Sequence, residues 1–327
     1  MTGANDNDFL DQCDALHDRC GFVPLVDWSA VTLTGADRQS FLHNMCTNEI
    51  QKLSAGEGCE AFLIDVKGKI VAHVWVILQE DVLTLLAVPG QAEPIINHLD
   101  RYIIREDVQL ADRSQAEAWT VLAGEQADAV LNNSRTELIT PWQNAPYRIG
   151  EVDCRLVRFP LPGRSAFLIA TSVEQVADFH KQLDTAGAIA CGQQAWDSLR
   201  VETGWPLFEV DFDTSNLPQE VSRDSQAISF TKGCYLGQET IARIDALGHV
   251  NKQIVTLKFA EGVAPEVGTT ITNQGQQVGV ATTVGKSPRS GATLAFGMVR
   301  RGSSDVGAML DSEEGPVEVI TTPTLDQ

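Results

Sequence analysis

Apolar and polar positions first alternate from Phe22 to Leu33, a pattern of extended chain, whereas residues 1–20, rich in Asp and Asn, read as a loose or weakly helical arm. Thr34-Gly35-Ala36-Asp37 then places a hydroxyl three residues ahead of a carboxylate, and Phe41, Leu42 and Met45 follow on one helical face. This predicts a capped helix over 37–47. Cys59 to Ile64, Ile70 to Leu78 and Val82 to Val88 are short β-rich runs parted by Lys67-Gly68-Lys69 and Gln79-Glu80-Asp81, an antiparallel meander. Ile95, Ile96, Leu99 and Ile103 share a helical face, and Val108 to Leu110 is extended again. The order strand, helix, strand returns at Arg164 to Ala170, at Ser172 to Leu183 with Val173, Val176, Phe179 and Leu183 on one face, and at Ala188 to Ala190. Beyond Asn251 no helical period remains. Stretches at 254–259, 269–272, 278–284, 294–298 and 317–320 alternate with glycine turns, as in a small β-barrel or sandwich, and 321–327 carry no packing signal. The pattern is that of an α+β protein: two α/β modules with antiparallel sheets, then a β domain.

Length and composition narrow the function. At about 150 residues per domain, 327 residues favour roughly two domains. A hydrophobic share of 43% with 21% charged residues is that of a chain that folds. Lys plus Arg number 24 against 44 Asp plus Glu, a formal net charge of -20. Such a field repels phosphate backbones and anionic bilayers, so the expectation is no direct nucleic-acid partner and no membrane partner. No apolar run reaches the roughly 18 residues of a spanning helix, and the acidic start lacks a signal-peptide pattern, so the expected compartment is cytoplasmic. The 7 cysteines are odd in number and form no C-x-x-C, which indicates neither a disulfide framework nor a zinc site; most read as buried free thiols, and no metal ligand is assigned.

The densest unusual stretch runs from Ile228 to Ile244 and contains Lys232-Gly233-Cys234-Tyr235-Leu236-Gly237-Gln238-Glu239. Cys234 stands beside a lysine on a glycine-flanked turn just ahead of a helix start, where positive potential favours a thiolate. Local physics leaves two readings open, a reactive thiol or a small side chain needed to pack the turn.

This run resembles the signature of the YgfZ family, folate-binding relatives of the glycine-cleavage T-protein that support iron-sulfur proteins and some tRNA modifications. The resemblance extends to Leu25-Val26-Asp27-Trp28-Ser29, Leu33 to Asp37, Phe41-Leu42, Thr47-Asn48, Lys67-Gly68-Lys69, Trp196 to Pro206, Leu217-Pro218-Gln219-Glu220 and the C-terminal β region. It implies three lobes around a central folate cleft, with a T-protein-like region over 21–250 and a barrel over 251–327 after the arm at 1–20. The implied cofactor is tetrahydrofolate or a folate derivative. The implied partners are folate and iron-sulfur proteins or their assembly machinery.

A pterin needs an aromatic wall and a carboxylate that accepts paired N–H bonds. The resemblance places Trp28 and Trp196 as the tryptophans and Glu202 as the pterin carboxylate, with Arg243 a secondary contact for the glutamate tail or else an i,i+4 partner of Glu239. Cys234, aided by Lys232, is the candidate nucleophile or redox thiol, and Gly233, Tyr235, Gly237, Gln238 and Glu239 shape its turn. T-proteins carry a pair of aspartates where this chain has Ala72-His73. The rival reading, an aminomethyltransferase of the T-protein type, therefore lacks its carboxylate. A third reading, a tRNA-binding module, is opposed by the net charge. Two departures, Ser222-Arg223 after Pro218-Gln219 and Gln226-Ala227 before Ile228, point to a different connecting loop.

Overall fold

The computed structural model describes residues 6–131, 140–287 and 291–321. In chain order the elements are α1 (Asp6–His17), β1 (Gly21–Leu25), β2 (Ser29–Thr34), α2 (Arg38–Met45), β3 (Gly58–Ile64), β4 (Ile70–Leu78), β5 (Leu83–Ala87), α3 (Ala92–Asp100) and β6 (Gln109–Asp112). They continue with β7 (Glu117–Ala123), α4 (Ala127–Val130), β8 (Asn144–Ile149), β9 (Val152–Arg158), β10 (Ala166–Ser172), α5 (Val176–Thr185), β11 (Ile189–Ala190), α6 (Gln193–Thr203), a 3-10 turn (Pro218–Val221), α7 (Asp224–Ala227) and α8 (Gln238–Leu247). The last strands are β12 (Lys252–Phe259), β13 (Thr270–Asn273), β14 (Gln276–Lys286), β15 (Thr293–Arg300), β16 (Met309–Ser312) and β17 (Gly315–Ile320).

The first sheet has the order β3-β4-β5-β2-β6, and the second β11-β1-β7-β10-β9-β8. All pairings are antiparallel except β1 with β11. The third unit closes as a six-stranded barrel, β12-β15-β14-β13-β16-β17. Fold class and the sequence-predicted meander agree with this architecture. One apparent alternation, Phe22 to Leu33, divides: Asp27 takes φ 58, and the chain leaves the second sheet after β1 to enter the first as β2. The modules are therefore interwoven.

The arm differs from expectation. From Asp6 it is the helix α1, with Cys13, Ala15, Leu16 and His17 at 2% exposure or less. Its Asp and Asn residues hide a narrow stripe, Phe9, Cys13 and Leu16, at i, i+4 and i+7. The cap expected at α2 is also made otherwise. Asp37 forms no side-chain cap bond, and its Oδ2 instead accepts from the Asp107 amide at 2.8 Å. The terminal residues 322–327 lie outside the described residues.

One continuous apolar core contains Trp28, Trp75, Trp196 and Trp205 and reaches Phe296 of the barrel; separate cores fill the far face of each sheet and the barrel interior. The barrel is tied on by Arg200 of α6, which donates to Trp205 O (2.9 Å), Asp211 Oδ2 (3.0 Å) and Thr283 Oγ1 (3.3 Å). Asp211 Oδ1 in turn accepts from Thr282 and Thr283 at 2.7 and 2.6 Å. A buried guanidinium needs such a set of acceptors, and these fix the angle between α6 and the barrel.

Candidate functional site

The signature turn sits where three elements meet. Thr47, just past α2, donates its hydroxyl to Ala227 O at 2.6 Å, and its carbonyl accepts from Ser229 N at 2.9 Å. Asn48 donates to both Glu60 O and Gln226 O at 2.8 Å. These bonds stitch the segment before the signature onto β3. Lys232 then directs its ammonium at the open end of α2, donating to the carbonyls of His43 (2.5 Å), Cys46 (2.8 Å) and Asn48 (2.7 Å). A cation there satisfies carbonyls that the helix leaves unpaired. Its ammonium also lies 4.7 Å from the Tyr235 ring centroid. Burial lowers the Lys232 pKa.

Tyr235 packs on the central core and Leu236 on the core of the first sheet, so the turn straddles both. Gln238 Oε1 accepts from Tyr235 N at 2.8 Å, which closes the turn ahead of α8. Gly237 has φ 74, and a Cβ there would stand 2.2 Å from Asp65 O. Gly68, at φ 80 in the β3–β4 turn, would meet Thr240 Cβ at 2.7 Å. Two glycine positions far apart in sequence thus let one hairpin seat against the start of α8. Cys234 emerges from this anchored turn as an exposed thiol.

The other six cysteines contrast with it. Burial pushes Cys13 to about 11 and Cys20, Cys154 and Cys191 to about 12, and it raises Cys46 and Cys59 as well. These thiols stay protonated at neutral pH. Among the described residues no group of three or more His, Cys, Asp or Glu is placed to hold a metal ion.

Behind the turn lies a buried charge network. Glu60, with no exposure, takes Arg223 in two bonds (Nε–Oε1 2.9 Å, Nη2–Oε2 2.5 Å) and His73 Nε2 in a third at 2.9 Å. Burial would raise the Glu60 pKa, but the charge and bonds of Arg223, aided by His73, outweigh it and bring the carboxyl down to about 2. The guanidinium also lies 4.0 Å from the centroid of Trp205 and donates to Gly204 O at 3.1 Å. His73 stacks on Phe62 at 4.9 Å and meets Phe212 at 5.7 Å. Sequence reading treated Arg223 as loop variation and passed over Glu60. The available signal was a lone carboxylate inside the apolar run of β3, which demands a buried partner.

The proposed ligand residues are not gathered around one opening. Trp28 is 8% exposed with one face against Trp75 at 4.8 Å, and Trp196 is 1% exposed. Neither offers a free wall for a planar ligand. Glu202 Oε2 is 2.7 Å from His17 Nε2 of α1. Burial pushes its pKa up, but hydrogen bonds from His17 and Ser287 hold it below the usual range. One turn earlier on the same face of α6, Ser198 lines a cavity of about 380 Å³ with Phe9, Leu10 and Lys286. Glu202 is thus a charged carboxylate held by His17 and Ser287 one turn beyond the cavity-lining Ser198, while the two tryptophans lie in the core rather than along an open wall. Arg243 and Glu239 are both exposed, and among the described residues they are not paired with each other, so the expected i,i+4 bridge is not made. Glu239 also takes no part in the turn contacts that Gln238 makes.

Comparison with known proteins places these features. The family model of the GCVT N-terminal domain matches residues 5–231, and that of the glycine cleavage T-protein C-terminal barrel domain matches 252–326. The tRNA-modifying protein YgfZ of Yersinia enterocolitica is 30% identical over 248 residues, covering 75% of this chain and 73% of that protein. YgfZ of Hamiltonella defensa is 28% identical over 292 residues, covering 89% and 83%. The crystal structure of glycine cleavage system aminomethyltransferase T from Bartonella henselae superposes with a TM-score of 0.86 at 19% identity, covering 96% of this chain and 89% of that one.

Proposed function

Because the chain belongs to the glycine-cleavage T-protein family and is YgfZ-like within it, we propose that it is a folate-binding accessory factor for the assembly or repair of iron-sulfur enzymes, acting through the thiol of Cys234. Its effect on tRNA is indirect, exerted through iron-sulfur enzymes that modify tRNA. The observation that carries this reading is the anchored signature turn, which presents one exposed thiol to solvent while Cys154 is half-buried and the other five cysteines are buried. A single exposed thiol suits a nucleophile or a transient ligand. Permanent custody of a four-iron cluster takes about four cysteinates.

Two features argue against the rival chemistries. Aminomethyl transfer by the T-protein route needs a carboxylate near the position of His73, and the one nearby, Glu60, is fully buried and bound by Arg223. A direct tRNA complex would have to form against a net charge of -20. Glu202 is the group offered to the pterin, with its charge already secured by His17 and Ser287.

The test is a calorimetric titration of the folded, reduced protein with tetrahydrofolate, run beside the rate of Cys234 alkylation by iodoacetamide. Saturable one-to-one binding that slows alkylation is expected, and Glu202→Gln should weaken it at least about tenfold. Trp196→Ala would report on core packing instead, since that ring is sealed. Absence of binding to the reduced wild type would remove folate from the mechanism.

A further inference from the structure

The central core ends abruptly at one edge of the contact between the two sheets. Leu86 of β5, Val121 of β7 and Val157 of β9 belong to that core. By strand alternation the next outward positions on the same faces are Thr84, Trp119 and Arg155, with Glu117 one step further along β7. Trp119 still belongs to the core, but apolar residues in place of Thr84, Arg155 and Glu117 would have closed the sheets together. Instead these four line a cavity of about 330 Å³ together with Arg113, from the loop after β6.

Their chemistry is that of a recognition site. Thr84 is 2% exposed, and the buried hydroxyl of Thr171, which also lines the cavity, has no hydrogen-bond partner among the described residues. Trp119, at 3% exposure, supplies an apolar surface. Arg113 Nε stands 4.0 Å from Glu117 Oε1, an ion pair too long for a hydrogen bond, so both groups keep hydrogen-bonding capacity for a ligand. Arg155 donates Nη1 to Asn144 Oδ1 at 2.8 Å, which fixes the guanidinium and leaves its other N–H groups for a ligand. Burial pushes the Glu117 pKa up, against the pull of Arg113, Trp119 and Arg155.

We infer that this cavity is a second small-molecule site, for a free α-amino acid or a compact zwitterion of that kind. A plain anion would meet Glu117 and Asp153, which also lines the cavity, and a plain cation would meet two guanidinium groups. A zwitterion satisfies both signs, its carboxylate toward Arg113 and Arg155 and its ammonium toward Glu117. Its side chain then lies over Trp119 with Thr84 as a polar stop. The cavity stands at the small end of the range for ligand pockets, which suits a molecule of this size.

The experiment is titration of the full chain with the twenty free α-amino acids, followed by calorimetry and Trp fluorescence. At least one should bind saturably below about 10 mM, and its N-acetyl and methyl-ester derivatives should bind about tenfold or more weaker. Glu117→Gln removes the ammonium partner without adding bulk, so it should weaken the amino acid about tenfold while leaving the N-acetyl derivative unchanged. Thr84→Val, a near-isosteric change, should shift the preference among side chains. Glu202→Gln should leave this binding untouched, which separates the site from any folate effect. No binding by any amino acid, or binding indifferent to both cavity variants, overturns the inference.

Discussion

The Glu60 network and the Cys234 turn are neighbours built on opposite terms. In the network a carboxylate, a guanidinium and an imidazole are removed from water and satisfied by one another, with the guanidinium over the face of Trp205. In the turn the anchors are buried but the chemical group is outside, with Lys232, Tyr235 and Gln238 holding the backbone so that Cys234 can stay free. The difference separates stability from chemistry. Groups that fix the fold here have no spare valence for a ligand, and the group with spare valence contributes little to the fold.

Substitutions should pull the two apart. The largest effect is expected from Glu60→Gln, which leaves the Arg223 cation buried without its anion and should cost about 3–5 kcal/mol in urea denaturation. The wild-type pH profile sharpens this. The folded carboxyl sits at about 2, below its ordinary value, so its stabilisation is complete above the usual carboxylate range and is lost as pH falls toward 2. That part of the acid limb should flatten in the variant.

Gly237→Ala comes next. It forces a Cβ onto Asp65 O at a left-handed backbone position, with an expected loss of about 1–3 kcal/mol. Because it acts on the turn, it should also change the rate of Cys234 alkylation, which Glu60→Gln should not do at pH values where that variant remains folded.

Asp224, one residue beyond Arg223, tests the boundary between the regions. Burial, with the charge of Asp245 on α8 adding to it, raises its pKa to about 7. The folded state therefore favours the protonated form, and the associated stability, full below the usual Asp range, is lost as pH rises through about 7. Asp224→Asn should gain about 1 kcal/mol at pH 8 and less at each lower pH, vanishing near pH 4. A gain independent of pH would contradict this assignment. Cys234→Ser should be the mildest, within about 0.5 kcal/mol of wild type, while abolishing the fast alkylation of the native protein.

Sequence pattern reached the meander, α3, α5 and most of the barrel because each of these carries its own period. It missed the fate of β1, whose residues alternate like those of β2 yet pair with strands a hundred residues away. It missed α1 because an acidic surface diluted a three-residue stripe. For the site, the signature turn was legible as a motif, and Gln238 closes it with the bond from Tyr235 N. The interior was not. Glu60, Arg223 and His17 act through partners brought together only by the fold, and the two tryptophans were assigned a wall where the structure uses them as core.

The passage of the chain from β1 to β2 also has a kinetic meaning. Phe22 pairs with Leu122 on one side and Ala190 on the other, whereas β2 finds its neighbours within the segment that ends at Asp112. As the chain emerges from the ribosome, the first sheet can close early. The strand made before it must wait for β7 and then for β11, carrying unpaired edges meanwhile. Of these two sheets the second is thus begun first and completed later, by the strand that leads directly into α6 and Glu202.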